Sequence, residues 1–304
     1  MRNLNGKFHQ VNRRWITLGL MLGFSAALAF GLLMALTPSP THPSKTAPPR
    51  QGSLPDRSLG VPVFSGKAFD TCATPGLSAI RAWSKSGYGA VGVYYAGRGR
   101  GCLSQKNLNR KWVTEVSNGG WKILPIFVGS QAPCVTLWHK RDTVIDPDDP
   151  AMAAGEATEA VTAAQKLGIS PGSPIYLDME SWNSNDKACS KATVDFVRAW
   201  SLEVSRRGYL PGFYSSAGSG VKALSAARLY DLSGIPDVIW FARWGVRPSL
   251  TGEPTLRGGE SWPVNRRIHQ YAGDVAEEHG GVPMRINTSL INAPVALVRR
   301  TTAG

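Results

Sequence analysis

From Gly66 onward the chain alternates between two hydrophobic periods. Short, nearly continuous apolar runs are followed by longer stretches whose apolar positions recur every three or four residues. The runs are "KAFDT", reaching Asp70, then "AVGVYYAG" (90–97), "KILPIFVG" (122–129), "SPIYLDME" (173–180), "LPGFYSS" (210–216), "DVIWFARW" (237–244), "RIHQYAG" (267–273) and "VPMRINTSL" (282–290). Uninterrupted apolar strands suit a parallel sheet buried on both faces. Helical spacing occupies 77–87, 107–120, 149–168 and 191–208, each stretch closed by glycine, and again 219–232. Glycine at those positions ends a helix because it enters the left-handed region without steric cost. Eight strands with interleaved helices predict an α/β domain, a closed (β/α)8 TIM-like barrel. An open sheet of this size would carry a nucleotide loop. The nearest candidate, "GRGRGC" (97–102), has the wrong glycine spacing and no helix directly after it.

In such a barrel, chemistry sits where the strands end. The fourth run ends in "PIYLDMES" (174–181), two carboxylates separated by one residue. Strand side chains alternate, so Asp178 and Glu180 share a face, with Cα atoms roughly 6.5 Å apart, while Met179 points away. Asp70 ends the first run and reaches the same mouth. Acids crowded together shift one another, so that one holds its proton while another stays ionised. Glycoside hydrolysis needs that arrangement. Tyr94, Tyr214 and Trp244 near the same strand ends offer faces for sugar rings, and Arg243 and Gln270 offer donors for their hydroxyls. Tyr94 and Tyr95 alternate, so at most one of them faces the mouth, and Trp240 lies mid-strand as a core residue. His269 has no accompanying nucleophile motif. "DPDDP" (146–150) reads as an acidic turn at a helix start.

The first 60 residues have another character. Residues 15–36 carry no charge, and as a helix this run covers roughly the 30 Å of a bilayer core. Arg2, Lys7, Arg13 and Arg14 precede it without an acid, which keeps that end cytoplasmic. The Arg13-Arg14 pair suits twin-arginine export. Residues 1–36 are therefore a cleaved signal peptide or a retained membrane anchor. Residues 37–60, rich in Pro, Ser and Thr, form a linker that cannot bury enough apolar surface to fold. The body, 61–304, is thereby extracytoplasmic, secreted or held at the plasma membrane.

The chain has a net charge of +13, of which the first 57 residues supply seven Lys/Arg and one Asp. Subtracting these leaves 27 basic and 20 acidic residues in the body, a balance of +7 that favours anionic surroundings such as envelope polymers. No basic–aromatic cluster or binding motif accompanies the charge, which speaks against nucleic acid. The four cysteines, Cys72, Cys102, Cys134 and Cys189, lack metal-ligand spacing and suit two disulfides in an exported chain. Three pairings are open to four cysteines. Their places in loops after consecutive strands favour Cys72–Cys102 and Cys134–Cys189. Neither metal nor cofactor is expected, and the domain is expected to be a monomer.

The ordered motifs "AFDTC", "VGVYYAGRGRGC", "LPIFVGSQAPC", "PIYLDMES", "GFYSS", "IWFARW" and "RIHQYAG" resemble the bacterial glycoside-hydrolase-like family DUF1906, over residues 66–292. That family is similar to the muramidases of glycoside hydrolase family 25, with a TIM-like barrel and an Asp-x-Glu on its fourth strand. The resemblance implies a general-acid role for Glu180, a charge-stabilising role for Asp178 and a first-strand acid in Asp70. It also implies a cell-envelope glycan such as peptidoglycan as the partner. Its last strand usually carries aspartates, whereas this chain has Asn287 and Ser289 there. Asn287 then lines the site as an uncharged binding residue. That departure keeps open a non-catalytic, glycan-binding or envelope-organising module.

Overall fold

A computed structural model describes residues 60–231, 233–257 and 262–299. The expected membrane-crossing run at 15–36 and the linker up to residue 59 lie outside the described residues. Among the described residues, no helix is long and apolar enough to cross a membrane.

The eight strands form one closed barrel in chain order: β1 (Val63–Asp70), β2 (Tyr88–Ala96), β3 (Lys122–Phe127), β4 (Pro174–Asp178), β5 (Leu210–Ser216), β6 (Val238–Ala242), β7 (Arg267–His279) and β8 (Val282–Pro294). Helices follow the first five: α1 (Leu77–Ala82), α2 (Arg110–Asn118), α3 (Met152–Lys166), α4 (Lys187–Arg206) and α5 (Lys222–Arg228). Local sequence explains two of their starts. The Asn109 side chain accepts the Trp112 N–H, and the Asp186 side chain accepts the Cys189 N–H, each capping an otherwise unsatisfied donor of the first turn.

The expectation of eight repeating β/α units is corrected at the C-terminal end. β1 to β7 run parallel, but β8 is antiparallel to both β7 and β1. Among the described residues only short 3-10 turns follow β6, and β7 passes directly into β8. Gly280 and Gly281 make that turn with φ of 59° and 73°. A two-residue turn with both φ positive joins antiparallel neighbours, because a parallel return needs a long crossover. Asn287 still arrives at the mouth, since β8 enters the barrel from that end and pairs Asn287 with Asp70.

Alternation along the strands divides the core in two. Ala68, Ala90, Ile126, Tyr176, Trp240, Ile268 and Ile291 fill the barrel, whereas Phe69, Val91, Phe127, Leu177 and Phe213 face the helices, among Trp83, Trp112 and Trp200. Trp240 is core, as its mid-strand place predicts, with Tyr176 and Tyr214 edge-on to its ring at 5.5 and 5.7 Å. The interior accommodates this indole and Asp70 because β2 places Gly92 opposite them. A Cβ at Gly92 would lie 2.8 Å from the Asp70 Cβ and 2.9 Å from the Ile126 Cδ1. The disulfides are Cys72–Cys102 and Cys134–Cys189, the pairing expected from neighbouring loops.

Candidate active site

The end of β4 is fixed from behind by Gln131, a fully buried residue in the loop after β3. Its Oε1 accepts the Glu180 N–H at 2.8 Å, and its Nε2 donates to the Asp178 carbonyl at 3.0 Å. One amide thus clamps the backbone on both sides of Met179. Its own main chain is held by the Thr143 carbonyl and the Ile145 N–H, each at 2.8 Å.

Asp178 points into the barrel mouth, nearly buried, and its Oδ1 has no hydrogen-bond partner among the described residues. Burial raises its carboxyl well above the usual range, and Glu180 adds to this while Lys140 opposes it. Glu180 stands two residues further out, partly exposed, and burial raises it too, against Lys140 and His139. No hydrogen bond to its carboxylate is made among the described residues, which leaves that group available to a ligand.

Asp70 sits behind them, completely buried. Its Oδ1 accepts from the Tyr94 hydroxyl at 2.6 Å and from Asn287 Nδ2 at 2.7 Å, and its Oδ2 accepts from Gln270 Nε2 at 3.1 Å. Burial nevertheless raises its carboxyl, because three neutral donors offset only part of the lost hydration. Asn287 is oriented by the Asp274 N–H, which donates to its Oδ1 at 3.0 Å from a bulge where Asp274 takes a φ of 55°. That orientation turns the amide nitrogen toward Asp70. An aspartate at 287 would set a second carboxyl against the first, so asparagine suits this arrangement.

Gln270 carries the network outward. Its Oε1 accepts from the Tyr214 hydroxyl at 2.9 Å and from Trp244 Nε1 at 3.0 Å. The Trp244 ring covers Gly273, where a Cβ would come within 2.4 Å of it, and remains 57% exposed. Two cavities meet at Glu180. One, of about 210 Å³, is lined by Tyr94, His139, Lys140, Asp178, Glu180 and Asn287, with Cys72 and Cys102 at its rim. The other, of about 430 Å³, is lined by Glu180, Ser181, Tyr214, Ser216, Arg243 and Trp244.

The predicted site residues therefore divide into groups. Asp178, Glu180, Tyr94, Tyr214, Trp244, Arg243 and Asn287 line the two cavities, whereas Asp70 and Gln270 act from behind them. Arg243 is already engaged, its Nε and Nη2 both on the buried Glu253 carboxylate. His269 uses both ring nitrogens on backbone, accepting the Ser249 N–H at Nδ1 and donating from Nε2 to the Arg243 carbonyl. Tyr95 faces outward and donates to the Ala160 carbonyl. Gln131, His139 and Lys140 were not singled out from the sequence; as lone polar residues in a loop they carry no periodic signal. Among the described residues no group of three or more His, Cys, Asp or Glu is placed to hold a metal ion.

A stability prediction follows from Asp178. With its folded-state pKa raised, the folded protein keeps a proton that the unfolded chain releases above about pH 4. Stability contributed by this group is complete below that pH and declines as pH rises toward the folded-state value, by up to about 1.4 kcal/mol per pH unit. Asp178→Asn removes the decline. Urea unfolding between pH 4 and 8 should show a flatter dependence and a more stable variant at pH 7; an unchanged slope would place the titration elsewhere.

A closed barrel with carboxyls gathered at one mouth is the architecture of glycoside-hydrolase-like α/β barrels. The chain belongs to the family described as Rv2525c-like, glycoside hydrolase-like domain, whose model matches residues 81–291. This is the family to which the ordered motifs pointed. Among solved structures, the Mycobacterium tuberculosis Tat-secreted protein Rv2525c, determined in complex with L-tartrate, is similar at 17% identity and a TM-score of 0.52, over 75% of this chain and 96% of that one. An uncharacterized B. stearothermophilus protein is similar at 20% identity and a TM-score of 0.50, over 74% and 95% of the two chains. At these identities the likeness is one of fold. No curated protein matches the chain.

Proposed function

We propose that the domain is an exported hydrolase of a cell-envelope glycan, peptidoglycan or a related polymer. The observation that carries this reading is Glu180, a carboxyl with no protein hydrogen bond among the described residues, at the junction of two cavities and backed by Asp178. Glu180 is the general acid that protonates the departing glycosidic oxygen. Asp178, in its ionised form, which Lys140 favours against burial, stabilises the positive charge developing at the sugar or the intermediate that follows. Asp70 is a positioning residue: through Gln270 it sets Tyr214 and Trp244, and it holds Tyr94 and Asn287 directly. Trp244 supplies a flat apolar face for a sugar ring, and Tyr214 a hydroxyl at its edge.

Export is supported by two disulfides, which persist in oxidising compartments, and by the charge pattern ahead of residues 15–36. The domain works as a monomer outside the cytoplasm. The test is incubation of the purified chain with peptidoglycan fragments and assay for new reducing ends. Cleavage that vanishes in the Glu180→Gln variant supports the reading. A second reading, a glycan-binding module on a hydrolase-like barrel, is favoured by one observation. Asp70 has both oxygens spent inside the protein, and Asn287 and Ser289 stand where the resemblance implies acids. Glycan binding without any cleavage would select that reading.

A further inference from the structure

Lys140 lies on a 3-10 turn, Trp138–Thr143, in the long loop after β3. Its side chain folds inward and the residue is only 7% exposed. Nζ donates to the Gly99 carbonyl at 2.5 Å, and no carboxylate lies within ion-pair reach of it among the described residues. An ammonium carries three donors, so two are left without a protein acceptor among the described residues. A buried cation in that condition is costly unless opposite charge faces it.

The opposite charge is across the cavity. Lys140 lines the same 210 Å³ space as Asp178 and Glu180, and Asp178 Oδ1 there is buried without a partner. Among the other charged and titratable groups facing the two acids, none supplies Asp178 with opposite charge, and Arg243, which lines the second cavity with Glu180, is already paired with Glu253. Asp70, from β1, adds like charge to Asp178. Tyr94, from β2, and Tyr214, from β5, are held in their neutral form by burial and by these same carboxylates. His139, on the same turn as Lys140, acts on Glu180. Lys140 is the cation that acts on both. Its position is set by backbone rather than by an ion pair: Gly99 N–H donates to the Val128 carbonyl at 2.8 Å, and Cys102, three residues on, is bridged to Cys72.

We propose that Lys140 is the fixed counter-ion of the Asp178–Glu180 pair, a positioning residue that keeps one carboxylate charged across the cavity while the other carries the proton. Two acids alone in a buried mouth would both tend to remain protonated, leaving a donor without a charged partner. One buried ammonium, held off contact by its bond to Gly99, sustains a single negative charge and leaves both carboxyls free for a ligand. This deepens the hydrolase reading and rests on it only for the consequence in turnover, because the test below reads proton binding and not cleavage.

The test is carboxyl NMR titration of the full chain carrying 13C-labelled Asp and Glu, with signals assigned by Asp178→Asn and Glu180→Gln. In Lys140→Met, the midpoints of Asp178 and Glu180 should rise by about one pH unit or more, the scale of losing a facing opposite charge. Lys140→Arg, which keeps the charge, should return both toward the wild-type values. A merely structural tie to Gly99 would alter stability and leave the midpoints in place. If Lys140→Met does not fold, Lys140→Gln serves in its place: its amide offers a donor toward the Gly99 carbonyl but no charge, and the same rise in both midpoints is expected. Unmoved carboxyl midpoints in folded Lys140→Met or Lys140→Gln overturn the assignment, whatever the cleavage assay shows.

Discussion

Glu180→Gln is expected to reduce glycan cleavage by about 100-fold or more while leaving glycan binding intact. The size is that of losing an acid–base group in the transition state, about 2.7 kcal/mol for two decades of rate. Glutamine matches the shape of glutamic acid and keeps hydrogen-bonding capacity, but it has no proton to give to a leaving oxygen. The fold should not suffer. The Gln131 clamp grips the backbone N–H of residue 180 and not its side chain, and among the described residues the carboxylate makes no hydrogen bond that the substitution would break. Tyr214, Trp244 and Gln270 are untouched, so the surface proposed to face the sugar persists. Burial raises the Glu180 carboxyl, which keeps the acid protonated to higher pH than an exposed glutamate. Wild-type cleavage should therefore fall on the alkaline side as that proton is lost, and the variant's residual activity should lack this limb. Binding by calorimetry together with a reducing-end assay separates the two effects. Equal cleavage by wild type and variant would remove Glu180 from the acid role.

The acids were legible because their position follows from a rule of period two. "PIYLDMES" needs only strand alternation to place Asp178 inward and Met179 outward, and the structure has Met179 packed in the outer core. The barrel itself was legible from eight apolar runs. The reversal of β8 was signalled only by Gly280-Gly281, a hairpin turn within a segment that otherwise reads as one more repeat. Lys140 was not legible. Nothing local distinguishes "WHKRD" from a solvated basic loop, and the burial of its one inward lysine depends on the Gly99 carbonyl 41 residues away. Arg243 is the opposite case. Its place at a strand end marks it as a free donor, yet Glu253, ten residues on and buried, takes both of its forward nitrogens. Partner choice among charged side chains is a tertiary matter, set by which loops return to the same rim.

Removing the Cys134–Cys189 bridge is expected to cost the domain about 4 kcal/mol, the chain-entropy value for a closure spanning 55 residues. For a body of this size that lowers the unfolding temperature by roughly 10 °C. The bridge joins the loop after β3 to the first turn of α4, and the chain between Glu180 and that turn runs directly alongside. There the Thr136 N–H and hydroxyl both donate to the Ser181 carbonyl, at 3.0 and 2.9 Å, and Val135 bridges to Trp182. The segment that carries Glu180 is thus pinned on one side by Gln131 and on the other by Val135 and Thr136, next to the bridged Cys134. Cys134→Ala with Cys189→Ala is the suitable pair, since Cys189 lies in the apolar core and a serine there would bury a hydroxyl. Urea unfolding gives the stability loss. Hydrogen exchange at the Glu180 and Ser181 amides reports whether the site loosens before the barrel does. The Cys72–Cys102 bridge closes a shorter loop of 30 residues and should cost slightly less, with exchange rising at the Gly99–Gly101 amides instead. A loss below about 1 kcal/mol for the Cys134–Cys189 pair would show that the hydrogen bonds around Ser181 already hold the loop ends together, and that the disulfide adds nothing to the geometry of the acid.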